Sequence, residues 1–140
     1  MKRAMILGVL ALALSTTLYR QAIAAKDLIL VCEYGPYEIA SMTPFTPNTL
    51  MEGGAETFRI VDGNLVRGGA KVRNLGDNSE TSFAFEIIIR NQAFNVTSTV
   101  SIDRYSGAFT AIDIYYSKTG TQTRHSIRQG RCRPAKKKLF

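Results

Sequence analysis

One histidine, two cysteines and eleven carboxylates are the side chains of this 140-residue sequence on which chemistry could turn. Hydrolysis by an activated nucleophile needs a base held beside the nucleophile. His125 is the single imidazole, it lies near Arg124 and Arg128, and no G-x-S-x-G or comparable context accompanies it. It reads as a solvent-facing strand residue. A pair of carboxylates can hydrolyse a glycoside. Asp103 and Asp113 flank one hairpin turn, with Glu86 on the adjacent strand. Strand alternation places them at solvated positions, and Asp103 beside Arg104 reads as a turn-stabilising residue. No enzymatic activity is expected.

Metal chemistry fares no better. Two cysteines without C-x-x-C spacing, one histidine and scattered acids do not supply a ligand set. Asp62-Gly63-Asn64 is too short for a calcium loop. Gly53-Gly54 and Gly68-Gly69 read as turn pairs, not phosphate loops. No metal and no cofactor is expected.

The cysteines matter through their compartment. Lys2 and Arg3 precede an uninterrupted apolar run, Ala4 to Leu14, and Ala22-Ile23-Ala24 follows as a small-x-small site. That is the layout of a secretory signal over residues 1–24, cleaved near Ala24 or Ala25. Eleven residues at about 1.5 Å each fall short of a hydrocarbon layer of roughly 30 Å. No second long apolar stretch follows, so no transmembrane span is expected and the product is periplasmic or extracellular. In an oxidising compartment Cys32 and Cys132 are expected to join. Closing a loop of that length stabilises the fold by up to about 4.7 kcal/mol in the chain-entropy model.

Charge is unevenly distributed. The whole chain carries +7, from 18 basic and 11 acidic residues. From Lys26 to Thr123 there are 8 basic and 11 acidic residues, whereas Arg124 to Phe140 holds 7 basic residues and no acid. Arg124, Arg128, Arg131, Arg133, Lys136, Lys137 and Lys138 are therefore candidates for contacting an anionic partner, such as an acidic protein surface or lipid phosphates. A solvated tail that aids solubility is the plainer reading. Nucleic acid is not expected in an exported protein. Tyr34 and Tyr37 flank Gly35-Pro36, and Tyr105 lies at a turn tip; all three are candidate loop contacts.

The elements that position these residues are strands. No 3.6-residue period follows the signal, and the apolar residues alternate. Strands are expected at Asp27 to Glu33, Tyr37 to Ser41, Glu56 to Asp62, Asn64 to Arg67 and Ala70 to Leu75. The strongest runs over Thr81 to Arg90, with Phe83, Phe85, Ile87 and Ile89 on one face. Val96 to Ile102, Ala108 to Tyr116 and Thr121 to Cys132 follow, and Met42 to Gly54 reads as the longest loop. Asp62-Gly63, Arg104 to Gly107 and Ser117 to Gly120 supply turns. The expectation is an all-β, antiparallel meander of seven or eight strands, a small barrel or curled sandwich, with one disulfide between first and last strands. It occupies a single domain, residues 25–133, followed by a basic tail, 134–140.

Three features together carry a resemblance. They are a single Cys in the first strand, the hairpin Ser101-Ile102-Asp103-Arg104-Tyr105-Ser106-Gly107, and the ending Gly130-Arg131-Cys132-Arg133-Pro134-Ala135-Lys136. The chain resembles small exported, mostly uncharacterised alphaproteobacterial β-proteins with an I-D-R-x-[ST]-G turn and a C-x-P-A-K ending. The resemblance implies a periplasmic or secreted β-protein and no particular activity. The leading expectation is a non-enzymatic exported domain that binds a macromolecule or an anionic envelope component. A secreted inhibitor of a hydrolase, presenting Pro44 to Gly54 or Tyr105, is the first alternative. A lipocalin-like carrier with an interior cavity is the second. Oligomeric state is not encoded in any feature of the sequence.

Overall fold

Phe83, Phe85, Ile87 and Ile89 alternate with Ser82, Ala84, Glu86 and Arg90, Ile88 being the one apolar exception, and a period of two commits such a segment to a strand with one covered face. The computed structural model, which describes residues 27–75 and 81–135, repeats this pattern around a barrel. Its strands are β1 (Asp27–Tyr34), β2 (Tyr37–Ser41), β3 (Thr49–Met51), β4 (Gly54–Val61) and β5 (Asn64–Val66). They continue with β6 (Lys71–Asn74), β7 (Ser82–Arg90), β8 (Asn95–Asp103), β9 (Ala108–Tyr116) and β10 (Gln122–Pro134). All pairings are antiparallel.

Eight strands form the path β5-β4-β1-β10-β9-β8-β7-β6. Its two ends, β5 and β6, are bridged by a hydrogen bond from Asn74 Nδ2 to Asn64 Oδ1 at 2.5 Å, so the barrel is nearly closed. The expected meander is present. The remaining two strands extend it: β2 continues β1 along the same edge of β10, and β3 pairs with β2. Gly35-Pro36 interrupts this edge, because proline has no N–H to give the ladder. The segment expected as one long loop, Met42 to Gly54, therefore contains β3 and the start of β4. Thr49 to Met51 becomes a strand because it lies directly opposite Tyr37 to Ile39 of β2.

Turn chemistry falls where the sequence places it. Asp62 and Gly63 both have positive φ, 50° and 80°, the backbone that a two-residue hairpin requires. Cys32 and Cys132 face each other in the β1–β10 register and are bonded. β10 runs to Pro134, and the Ala135 N–H donates to the Ile29 carbonyl at 2.8 Å. Pro134 is thus the last residue of the sheet, and Ala135 follows it still bonded to β1; proline is tolerated there because it ends the strand. The signal segment and Lys136, Lys137 and Lys138 lie outside the described residues. Among the described residues, no helix is long and apolar enough to cross a membrane.

The inward rows change character along the barrel. Leu28, Leu30 and Cys32 on β1, Phe58 and Ile60 on β4, Phe83 and Phe85 on β7, Ile102 and Val100 on β8, and Phe109 and Ala111 on β9 are buried together. Further along the same rows stand Glu56, Ser98, Asp113 and Arg128. One end of the barrel is packed with oily side chains and the other is lined with polar ones.

Candidate functional site

Asp113 shows why the polar end is built as it is. It alternates with Phe109 and Ala111 on β9, so it points inward and is only 4 % exposed. The solvated position expected for it is corrected by this register. A carboxylate so placed needs a partner. Arg128 supplies it: Nε donates to Asp113 Oδ2 at 2.8 Å and an Nη donates to Oδ1 at 3.1 Å. The Ser126 hydroxyl adds a third bond at 3.2 Å. The other Arg128 Nη donates to Glu56 at 2.8 Å, and Arg67 donates to the second Glu56 oxygen at 2.6 Å. The Arg128 guanidinium also lies 5.1 Å from the Tyr34 ring centre. Burial works against its charge, but the Asp113 and Glu56 carboxylates more than offset that and hold its pKa well above the ordinary arginine value.

This network borders a cavity of about 220 Å³, lined by Tyr37, Glu56, Arg67, Ser98, Asp113, Tyr115 and Arg128, with Ile87, Ile89 and Val96 as an apolar wall. Burial pushes the Tyr37 and Tyr115 phenols up, so both stay protonated donors at neutral pH.

A second place lies beside the disulfide. Asp103 Oδ1 accepts from the Tyr105 N–H, the Ser106 N–H and the Ser106 hydroxyl at 2.9, 2.7 and 2.9 Å. These bonds, the Ser106 amide first, lower the Asp103 pKa. Asp103 is the turn-stabilising residue that its position suggests. The turn is fastened to β10 by the Cys132 N–H, which donates to the Gly107 carbonyl at 2.7 Å. Glu33, Tyr105, Ser106, Arg131 and Arg133 surround an open hollow there, and Arg133 pairs with Glu33 at 3.2 Å.

The third feature is the arm formed by β2, β3 and the loop between them. Phe45 is fully exposed, has φ 66°, and stands between Pro44 and Pro47. The loop is braced. The Ser41 N–H donates to Asn48 Oδ1 at 3.0 Å, Thr43 Oγ1 donates to Thr46 Oγ1 at 2.9 Å, and Asn48 Nδ2 donates to Glu38 at 2.5 Å. The Met42 N–H reaches the Thr123 carbonyl at 2.9 Å, anchoring the arm to β10. Met42, Leu50 and Met51 are exposed on it.

The residues singled out from the sequence are thus divided. Arg131, Arg133 and Tyr105 come together at the disulfide end. Tyr34, Tyr37 and Arg128 come together at the polar mouth, where Arg128 is 12 % exposed and neutralised. The charge pattern groups Arg128 with the other basic residues of this segment as a candidate contact for an anionic partner, but β10 alternates and turns it inward onto Asp113 and Glu56 while Arg131 and Arg133 face out. Arg124 stands at the base of the arm opposite Ser41, and His125 is exposed opposite Ala40. Sequence reasoning missed Glu56, Arg67 and Ser98 in the mouth; only long-range register brings them there. It did not single out Phe45 either, only the segment Pro44 to Gly54 that contains it; an oily residue between Pro44 and Pro47 in a turn-rich stretch was the available signal. What fold and sites define is a nearly closed, disulfide-joined antiparallel β-barrel with an arm. No family model, curated protein or solved structure matches this chain.

Proposed function

We propose that this chain is an exported, non-enzymatic β-barrel that binds a protein of the envelope or surroundings through the tip of its arm. Phe45 carries the reading. Its side chain buries nothing, and its backbone conformation costs on the order of 1 kcal/mol or more for a residue with a Cβ. Folding alone gives no reason to keep a phenylalanine there. A braced loop loses little freedom on binding, which favours affinity. An inhibitor that inserts this loop into the cleft of a hydrolase is the most specific form of the proposal. Export is supported by the disulfide and by the amino-terminal apolar segment. A second reading, contact with an anionic envelope component, is supported by the exposed Arg131 and Arg133 beside Tyr105. A carrier for a large apolar molecule is disfavoured by the packed end of the barrel.

A photo-crosslinking residue at position 45 of the exported protein tests the first reading. A discrete protein adduct is expected, absent when the same residue replaces Val66, which is also exposed. Equal labelling from both positions sinks it. Salt-sensitive binding to anionic vesicles that persists in Phe45→Ala and is lost in Arg131→Gln/Arg133→Gln supports the second reading instead.

A further inference from the structure

We propose that the polar mouth of the barrel is a binding site for a small, neutral, polyhydroxylated molecule of monosaccharide size. The site is separate from the tip of the arm, and its failure would leave the protein-binding reading standing.

Four observations lead there. The first is Ser98. It lines the cavity, is 5 % exposed, and its hydroxyl has no hydrogen-bond partner among the described residues. A buried hydroxyl left unmatched is costly, and such groups in folded proteins nearly always have a partner. The second is charge. Glu56 and Asp113 are matched by Arg67 and Arg128 through contacts of 2.6 to 2.8 Å. A ligand carrying net charge would be taken out of water with no counter-ion left to meet it. The third is the supply of hydrogen bonds. Both carboxylates keep lone pairs, and the two guanidiniums, the Tyr37 and Tyr115 phenols and Ser98 supply donors in one small space. Vicinal hydroxyls, each both donor and acceptor, use such a mixture; an amide or a ketone uses only part of it. The fourth is the wall of Ile87, Ile89 and Val96, which suits the C–H face of a sugar ring. At about 30 Å³ per water, 220 Å³ holds about seven waters, the bulk of one such ring.

The test is a titration of the isotopically labelled, disulfide-intact protein with glucose, galactose, mannose and N-acetylglucosamine, followed by amide chemical shifts. At least one should give saturable shifts in the millimolar range at Glu56, Ser98, Asp113 and Arg128. Glucuronate and glucosamine, which add a charge to the same ring, should bind more weakly. Ser98→Ala should weaken binding about tenfold while leaving thermal stability unchanged or higher, because it removes an unmatched hydroxyl. Absence of saturable shifts at these amides with all four sugars overturns the proposal. So does Ser98→Ala binding as tightly as the parent, or glucuronate binding more tightly than glucose.

Discussion

At Arg128 the barrel admits a cation to its interior, and its neighbours decide what losing it costs. Arg128→Met leaves the Asp113 and Glu56 carboxylates without their shared donor, and breaking a buried pair from one side typically costs about 3–5 kcal/mol. Because Arg128 retains some exposure, we expect about 3 kcal/mol in urea unfolding. Arg67→Met, at the solvent edge of the same network, should cost less than about 1 kcal/mol. Equal losses would show that the network is not held as described. Asp103 allows a pH prediction. Its carboxyl is held below the ordinary aspartate value of 3.8 by bonds to its charged form. The stability it contributes is therefore complete above the unfolded pKa and fades as pH falls through the folded one. Comparing Asp103→Ala with the parent, the difference in melting temperature should be constant near neutrality and shrink below about pH 4. A gap that persists at pH 2 argues against the cap. The turn role of Asp103 was legible because its partners lie two and three residues away. The interior place of Asp113 was not, since alternation says which residues share a face but leaves open whether a charge on that face has a partner across the sheet.

The strands and turns raise a different issue, namely how closely one backbone lies against another. Gly130 on β10 sits against β1 so tightly that an added Cβ would lie 1.8 Å from the Glu33 carbonyl oxygen and 2.8 Å from Tyr34 Cα. Neither is a side-chain end that can swing aside. Gly130→Ala should cost on the order of 3 kcal/mol, read by thermal unfolding, with amide protection lost first along β1 and β10. The opposite sign is expected at the arm. Phe45→Gly removes a side chain that packs on nothing and gives the positive φ to the residue that tolerates it. Stability should be unchanged or rise by about 1 kcal/mol. A clear loss would show that Phe45 has a structural role, removing the support for the binding proposal. Most strands were legible because hairpins and their turns are local. β3 was not, because three exposed residues between prolines and glycines carry no alternation; only the facing β2 edge makes them a strand.

Barrel closure is the property of the whole molecule, and it depends on pairing between the two ends of the described chain. β1 and β10 meet with Cys32 opposite Cys132 across a sequence separation of 100, while the other seam, β5 to β6, has short strands and a side-chain bridge. In the unfolded chain, bringing β1 to β10 is the costliest loop closure, and the covalent link removes that cost before folding begins. Both cysteines are buried in the native barrel, at 0 % and 3 % exposure. Reductant should therefore act only on opened molecules, at a rate that follows unfolding and not thiol concentration alone. Cys32→Ala/Cys132→Ala should lower stability by about 2–5 kcal/mol, with unfolding still a single transition. Hydrogen exchange should then rise most at Leu30, Val31, Glu33 and Arg131, and least along the β7–β8–β9 hairpins, whose contacts are local. If exchange instead rises uniformly around the barrel, closure is not independent of the hairpins. The bond would then stabilise the sheet as a whole, not this seam.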